Sequence, residues 1–195
     1  PFSDPSSLQI TNTEISNCSG FGILSSIFNL QADNLVVKDC GQYNIAIRAA
    51  GNYSFRHCTI SNYFDKAARE TPSFFIQNSY ITPQAVQVIG VPNVDFYNSI
   101  IYGDKENEFA REIINNGSLD LDFQDAIIKT NEFLADSAFK RIIKNHSTQI
   151  FENPRMGDVS LNENSAARDV GNLSIANLIP LDILENSRTT DGLPD

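Results

Sequence analysis

Polar and apolar residues along this chain follow one short phrase, apolar–x–Asn/Asp/His–small–x–apolar. It is written six times: "ITNTEI" (10–15), "ADNLVV" (32–37), "FRHCTI" (55–60), "IQNSYI" (76–81), "FYNSII" (96–101) and "FQDAII" (123–128). The third residues are Asn12, Asn34, His57, Asn78, Asn98 and Asp125, in steps of 22, 23, 21, 20 and 27. The first two copies belong to a longer echo, "NTEISNCSGFGI" against "NLVVKDCGQYNI", which sets Cys18 over Cys40 and Ile23 over Ile45. A period near 22, rich in β-branched and aromatic residues, is too short for a two-helix repeat. It predicts an all-β fold: a right-handed parallel β-helix, a single-stranded solenoid of about six coils over residues 1–130. Each coil would rest about 4.8 Å above the next.

Each column of the repeat then has a physical reason. Ile10, Phe55, Ile76, Phe96 and Phe123 before the anchor point inward and stack, as do Ile15, Val37, Ile60, Ile81, Ile101 and Ile128 after it. The position following the anchor is mostly small (Thr13, Cys58, Ser79, Ser99, Ala126), as a crowded corner requires. Asn at the anchor tolerates left-handed backbone, and its amide can bond to its copy one coil away. Asn12, Asn34, His57, Asn78, Asn98 and Asp125 are therefore expected to form a structural ladder, with His57 and Asp125 filling slots in it. Cys18 and Cys40 are expected as stacked core thiols, because in-register neighbours on parallel strands do not aim their sulfurs for a disulfide.

Two stretches interrupt the period and are expected as loops: "YFDKAARETPS" (63–73) and "YGDKENEFAREIINNGS" (102–118). From residue 131 the spacing changes. "NEFLADSAFKRIIKN" (131–145) puts Glu132, Asp136, Lys140 and Lys144 on one stripe and Leu134, Ala138 and Ile142 on another. With Asn131 as cap and Asp136 four residues before Lys140, this predicts a short amphipathic helix. Residues 146–195 read as an irregular cap and strap, which a β-helix needs over its last open edge. The helix and cap would share one structural domain with the coils.

Four segments, "GNYSFRHCTISNY" (51–63), "FYNSIIYGDKENE" (96–108), "SAARDVG" (165–171) and "IPLDILENSRTTDGLPD" (179–195), resemble the C-terminal part of right-handed β-helix repeat proteins. These are the secreted or surface-anchored kind of Bacteroides-type bacteria, within the pectate-lyase-like superfamily. The resemblance spans most of the chain. It departs at Ala166, where the family has Pro, at Arg168, where it has Ile, and at Asp195, where the family continues into Ile-Gly-x-Tyr-Glu. It implies a secreted or cell-surface location, and an N-terminus at Pro1 that is processed or excised. Asp169 and Arg188 recur together in such tails; with Asp182 they are expected to tether the final loops to the last coil. A Ca²⁺ site from Asp169, Asp182 and Asp191 is the alternative, and no other cofactor is implied.

Composition narrows the function. Fourteen Lys and Arg against 24 Asp and Glu give a net charge of −10, which argues against a nucleic-acid partner. No apolar run approaches the ~18 residues of a membrane span. The three cysteines include no Cys-x-x-Cys pair, and His57 and His146 alone could join them, so no metal site is expected. Neither the acidic set of a galacturonase nor a row of stacked Asp is evident, and a Ser-His-Asp triad would have to use His57 or His146. Counting 14 from Asn34 and 12 from His57 places Arg48 and Arg69 on one outer face beside Tyr63 and Phe64, where guanidiniums could hold a carboxylated sugar. Pairing with Asp65 or Glu70 is the plainer role for them. The expected function is a monomeric, non-catalytic module presenting loops to a polysaccharide or another surface protein. A polysaccharide lyase or glycoside hydrolase fragment acting on acidic polysaccharide is the alternative.

Overall fold

The structure is a computed structural model that describes residues 6–135, 137–190 and 192–194. Strands follow in chain order as β1 (Ser7–Ser16), β2 (Ile23–Ser26), β3 (Asn29–Lys38), β4 (Ile45–Arg48), β5 (Gly51–Arg56), β6 (Thr59–Asn62), β7 (Phe74–Gln77) and β8 (Ser79–Ile81). Then come β9 (Gln87–Ile89), β10 (Pro92–Tyr97), β11 (Ile100–Gly103), β12 (Phe109–Glu112), β13 (Asp120–Ile128), β14 (Phe139–Lys144), β15 (Phe151–Asn153) and β16 (Asp158–Leu161). One helical turn, α1 (Leu173–Ala176), lies in the tail.

Eight of these strands form one parallel sheet, ordered β1-β3-β5-β10-β13-β11-β6 with β14 also on β13, and four form a second parallel sheet, β12-β7-β4-β2. The period creates the register. Ile10 pairs with Ala32, Ala32 with Phe55, Phe55 with Phe96, Phe96 with Phe123 and Phe123 with Phe139. The phenyl rings stack at centroid spacings of 6.1 Å for Phe55–Phe96 and 5.1 Å for both Phe96–Phe123 and Phe123–Phe139. From the second sheet, Phe74 meets Phe55 edge-on at 5.5 Å and Phe109 meets Phe123 at 5.3 Å. All of these rings except Phe139, at 9 % exposure, are fully buried, and each contributes about 1.5–3 kcal/mol of apolar burial. They close the core between the sheets.

Every row of the large sheet breaks at its anchor. Register sets Asn12, Asn34, His57, Asn98, Asp125 and Arg141 opposite one another, and all six take left-handed φ of 47–53°. Asn34 Nδ2 donates to Asn12 Oδ1 at 2.8 Å, and Asn98 Nδ2 lies 3.3 Å from His57 Nε2. Asp125 and Arg141 close the column as a bidentate ion pair.

Three expectations are corrected. Asn78 is not in the column: "IQNSYI" leaves β7 in the second sheet, and the buried Asn78 side chain accepts from Ile114 N (2.9 Å) and donates to Ile114 O (3.1 Å). The stretch 102–118 is no plain loop, since Phe109–Glu112 forms β12 against β7. The expected helix over 131–145 is replaced by β14, parallel to β13. Leu134, Ala138 and Ile142 do pack on the core, as the stripe required, but Ile142 does so from the strand and Leu134 and Ala138 from the segment before it. Asp136, the other half of the expected pair with Lys140, lies outside the described residues.

Residues 146–190 lie against the large sheet's outer face beyond the anchors. There Ile100, Tyr102 and Ile127 face outward and are covered by Ile150, Phe151 and Ala167, with Val159 and Leu161 beside them.

Candidate functional site

Before the anchors the outer face of the large sheet is polar, and its rows are set by the same register. Ser7, Asn29, Asn52 and Asn93 form one row; Gln9, Gln31, Ser54 and Asp95 form the next. These eight residues line a shallow groove of about 400 Å³. Asn52 donates to Asn29 Oδ1 through both its backbone N (2.9 Å) and its side-chain amide (3.0 Å), a second ladder rung, before the anchor column.

At the groove's end the face turns acidic. Asp95 pairs in register with Asp122 on β13, so two carboxylates stack on adjacent strands, where the sequence reading found no such row. Tyr97 donates its hydroxyl to Asp122 Oδ2 at 2.8 Å. Gln124 donates to the same oxygen at 2.7 Å, and Lys140 reaches Oδ1 at 3.1 Å. Burial raises the pKa of Asp95, and the neighbouring Asp122 charge pushes the same way. Burial would also raise Asp122, but the bonds from Tyr97, Lys140 and Gln124 outweigh it and hold that carboxyl below its usual range. Burial, with the bond to Asp122, pushes the Tyr97 phenol upward. Environment has driven two adjacent acids apart, the pattern expected of an acid beside a base. On the same face Arg56 makes a bidentate pair with its register neighbour Asp33, both bonds 2.7 Å.

Both acids were findable by counting. Asn98 and Asp125 minus three residues give Asp95 and Asp122, just as Asn12 and Asn34 minus three give Gln9 and Gln31.

The expected sugar-binding residues are not brought together. Arg48 lies in the second sheet, stacks on Tyr80 at 5.6 Å and donates to Ser26 Oγ at 3.2 Å. Arg69 is 4 % exposed. Its guanidinium holds Glu108 through both carboxylate oxygens (2.9 and 2.7 Å), Asp104 at 2.6 Å, and the carbonyls of Thr71 and Asn62. Glu108, fully buried, also accepts from Ser73 N and Oγ and from Lys105 N. Arg69 thus clamps the loop 63–73, and its partners are Glu108 and Asp104, not Asp65 or Glu70. Tyr63 packs in the cluster under the tail, with Arg155 5.8 Å from its ring, and burial lifts its phenol to about 12.

The tail is tied differently from expectation. Arg188 donates to Asn34 Oδ1 at 2.6 Å, and Asn34 Nδ2 donates to Leu181 O at 2.9 Å. Asn98 donates to Asn172 O (3.0 Å) and accepts from Asn172 N (2.8 Å). The anchor column, not the last strand, is the mooring. Asp182 spends its carboxylate on its own turn, accepting from Leu184 N and Asn186 N at 2.8 Å each. Asp169 sits at a left-handed φ of 62°; Asp191 lies outside the described residues. Among the described residues no group of three or more His, Cys, Asp or Glu could hold a metal ion. A cleft of about 580 Å³ runs along the seam between tail and sheet, and Lys38 bridges it to Gly157 O at 2.7 Å. All three cysteines are free, and burial lifts the Cys40 and Cys58 thiols to about 12, too high for nucleophiles near neutral pH.

Among the described residues no helix is long and apolar enough to cross a membrane. Comparison with protein-family models, curated proteins and solved structures returns no match.

Proposed function

We propose that the chain is a right-handed parallel β-helix module whose groove before the anchor column binds an extended glycan. The stacking of in-register parallel strands, with the first three anchors 22 and 23 residues apart, supports the β-helix. The observation that carries the binding reading is the register itself. Amides and hydroxyls recur row after row at the ~4.8 Å strand spacing, close to the length of one pyranose unit, so successive sugars would meet equivalent donors and acceptors. The carboxylates of Asp33, Asp95 and Asp122 on this face favour a neutral or amine-bearing sugar over the acidic one that Arg48 and Arg69 first suggested. A secreted or bacterial-surface location rests on the tail motif that implies it.

A second reading, glycoside hydrolysis, rests on Asp95 and Asp122 stacked in register on adjacent strands, with their pKa values shifted in opposite directions. In that reading protonated Asp95 donates to the leaving oxygen, and ionised Asp122, steadied by Tyr97, works on the anomeric carbon or its water. One titration series separates the two. Short neutral and amino-sugar oligomers are expected to bind, and Gln31→Ala with Asn52→Ala to weaken them about tenfold, the loss of one or two hydrogen bonds. Unchanged affinity in that double variant overturns the groove as the site. Release of reducing ends that Asp95→Asn abolishes would establish hydrolysis; binding without release leaves the module non-catalytic.

A further inference from the structure

Where the tail crosses β3, sheet and tail form the two sides of a seam. The sheet side is one outward row, Glu14, Val36, Thr59 and Ile100, set side by side by register. The tail side is Val159 and Leu161 from β16, with Ile183 further along. Lys38 donates to Gly157 O at 2.7 Å and Arg188 to Asn34 Oδ1 at 2.6 Å, so sheet and tail each contribute a bond that holds the tail over β3. The cleft of about 580 Å³ along this seam falls within the range of roughly 300–1,000 Å³ usual for small-molecule sites. Val36, Ile100, Val159, Leu161 and Ile183 give it an apolar lining, and charged groups stand among them.

Those charges are satisfied within the chain, with one exception. Glu14 pairs with Lys38 at 3.0 Å. Asp158 accepts from Ser160 N at 3.0 Å and from its hydroxyl at 2.5 Å, and Asp182 accepts from the amides of Leu184 and Asn186. Arg188 is committed to Asn34. Arg168 lines the same cleft and is exposed. Its backbone N donates to Ser165 O at 3.2 Å, but among the described residues nothing bonds its guanidinium. Every other arginine of the chain meets an acid, a hydroxyl or amide oxygen, or an aromatic ring. In a chain of net charge −10, one guanidinium is left over, and it stands beside an apolar cleft.

We propose that the seam binds a small carboxylate with an apolar body, its carboxylate on Arg168 and its hydrocarbon part between the outward row and β16. The guanidinium argues for the carboxylate, because its fork of N–H donors matches two carboxylate oxygens. The lining argues for the apolar body. A sugar there would turn hydroxyls toward Val36, Ile100 and Leu161, which offer them no partner. Because sheet and tail each supply one side, a bound molecule touches both and restrains the strap. The site does not depend on what the groove before the anchors holds.

Calorimetric titration of the unaltered chain with octanoate is expected to give saturable binding. Acetate, which lacks the body, and octanamide, which lacks the charge, should each bind about tenfold more weakly or worse. Arg168→Gln, a change at an exposed residue, should weaken octanoate about tenfold through loss of a charge-assisted bond. Gln31→Ala with Asn52→Ala should leave octanoate binding unchanged. Octanoate should also slow proteolysis between residues 179 and 190 in the unaltered chain, and do so less in Arg168→Gln at the same concentration. Titration without saturation overturns the proposal, as does acetate or octanamide matching octanoate, or Arg168→Gln binding as tightly as the parent. Octanoate binding lost in the groove double variant places the ligand in the groove and overturns it too.

Discussion

Asp95 carries its charge where burial and Asp122 both resist it. Its pKa in the folded chain lies above the unfolded value, so folding takes up a proton between the two and stability falls as pH rises through that window. Asp95→Asn removes the penalty. Its melting temperature should exceed the parent's at pH 7, and the gain should vanish below the ordinary aspartate value of about 3.9. Partial exposure keeps the effect under about 1 kcal/mol. Thermal melts at both pH values test this, and a variant less stable at neutral pH refutes the assignment. A polar residue kept at a cost in stability is what a working site looks like. Single residues also mark where sequence reading fails. Asn78 satisfies every position of the repeat phrase, yet the phrase fits equally the bend by which β7 leaves its sheet for the β8–β9 hairpin. The turn signal "TPQA" that follows it (82–85) was the available warning. The true step runs from His57 to Asn98, 41 residues holding both the loop 63–73 and that hairpin.

Among elements, β14 shows why a strand can be read as a helix. A left-handed anchor inserts one odd step into the two-residue alternation, so core-facing positions fall two before and one after it. Around Arg141 these are Phe139 and Ile142, three apart like one face of a helix. The six-residue phrase already contained that irregularity, but Arg141 at the anchor, Ile142 in the small position and Lys144 in the last apolar one concealed the sixth rung of the column. The loop 63–73 was legible as a loop, but its clamp was not, because Arg69 and Glu108 lie 39 residues apart and only the fold joins them. Arg69→Ala would strand the buried Glu108 carboxylate and should cost about 3–5 kcal/mol in urea unfolding. Arg69→Met combined with Glu108→Leu should recover most of that loss. A single variant as stable as the parent would show that the pair is not buried in solution.

Over the whole molecule, the parallel architecture followed from periodicity, because one column of inward residues dictates one register. The tail's path did not, since Asn34 and Asn98 look alike as ladder members and as moorings. Arg188→Ala frees the strap from Asn34, a charge-assisted bond worth about 1.5–3 kcal/mol. Proteolysis between residues 179 and 190 should then quicken about tenfold with the far-ultraviolet spectrum unchanged; equal cleavage rates would place the mooring elsewhere. The Arg188–Asn34 bond spans 154 residues of chain, and that span has a bearing on biosynthesis. Strands can add to one another as they leave the ribosome, but Ile100, Tyr102 and Ile127 await a cover that follows them in the chain, Ile150, Phe151 and Ala167. Until that cover emerges, the nascent sheet carries a greasy flank in water, which makes this interval of synthesis an aggregation-prone one.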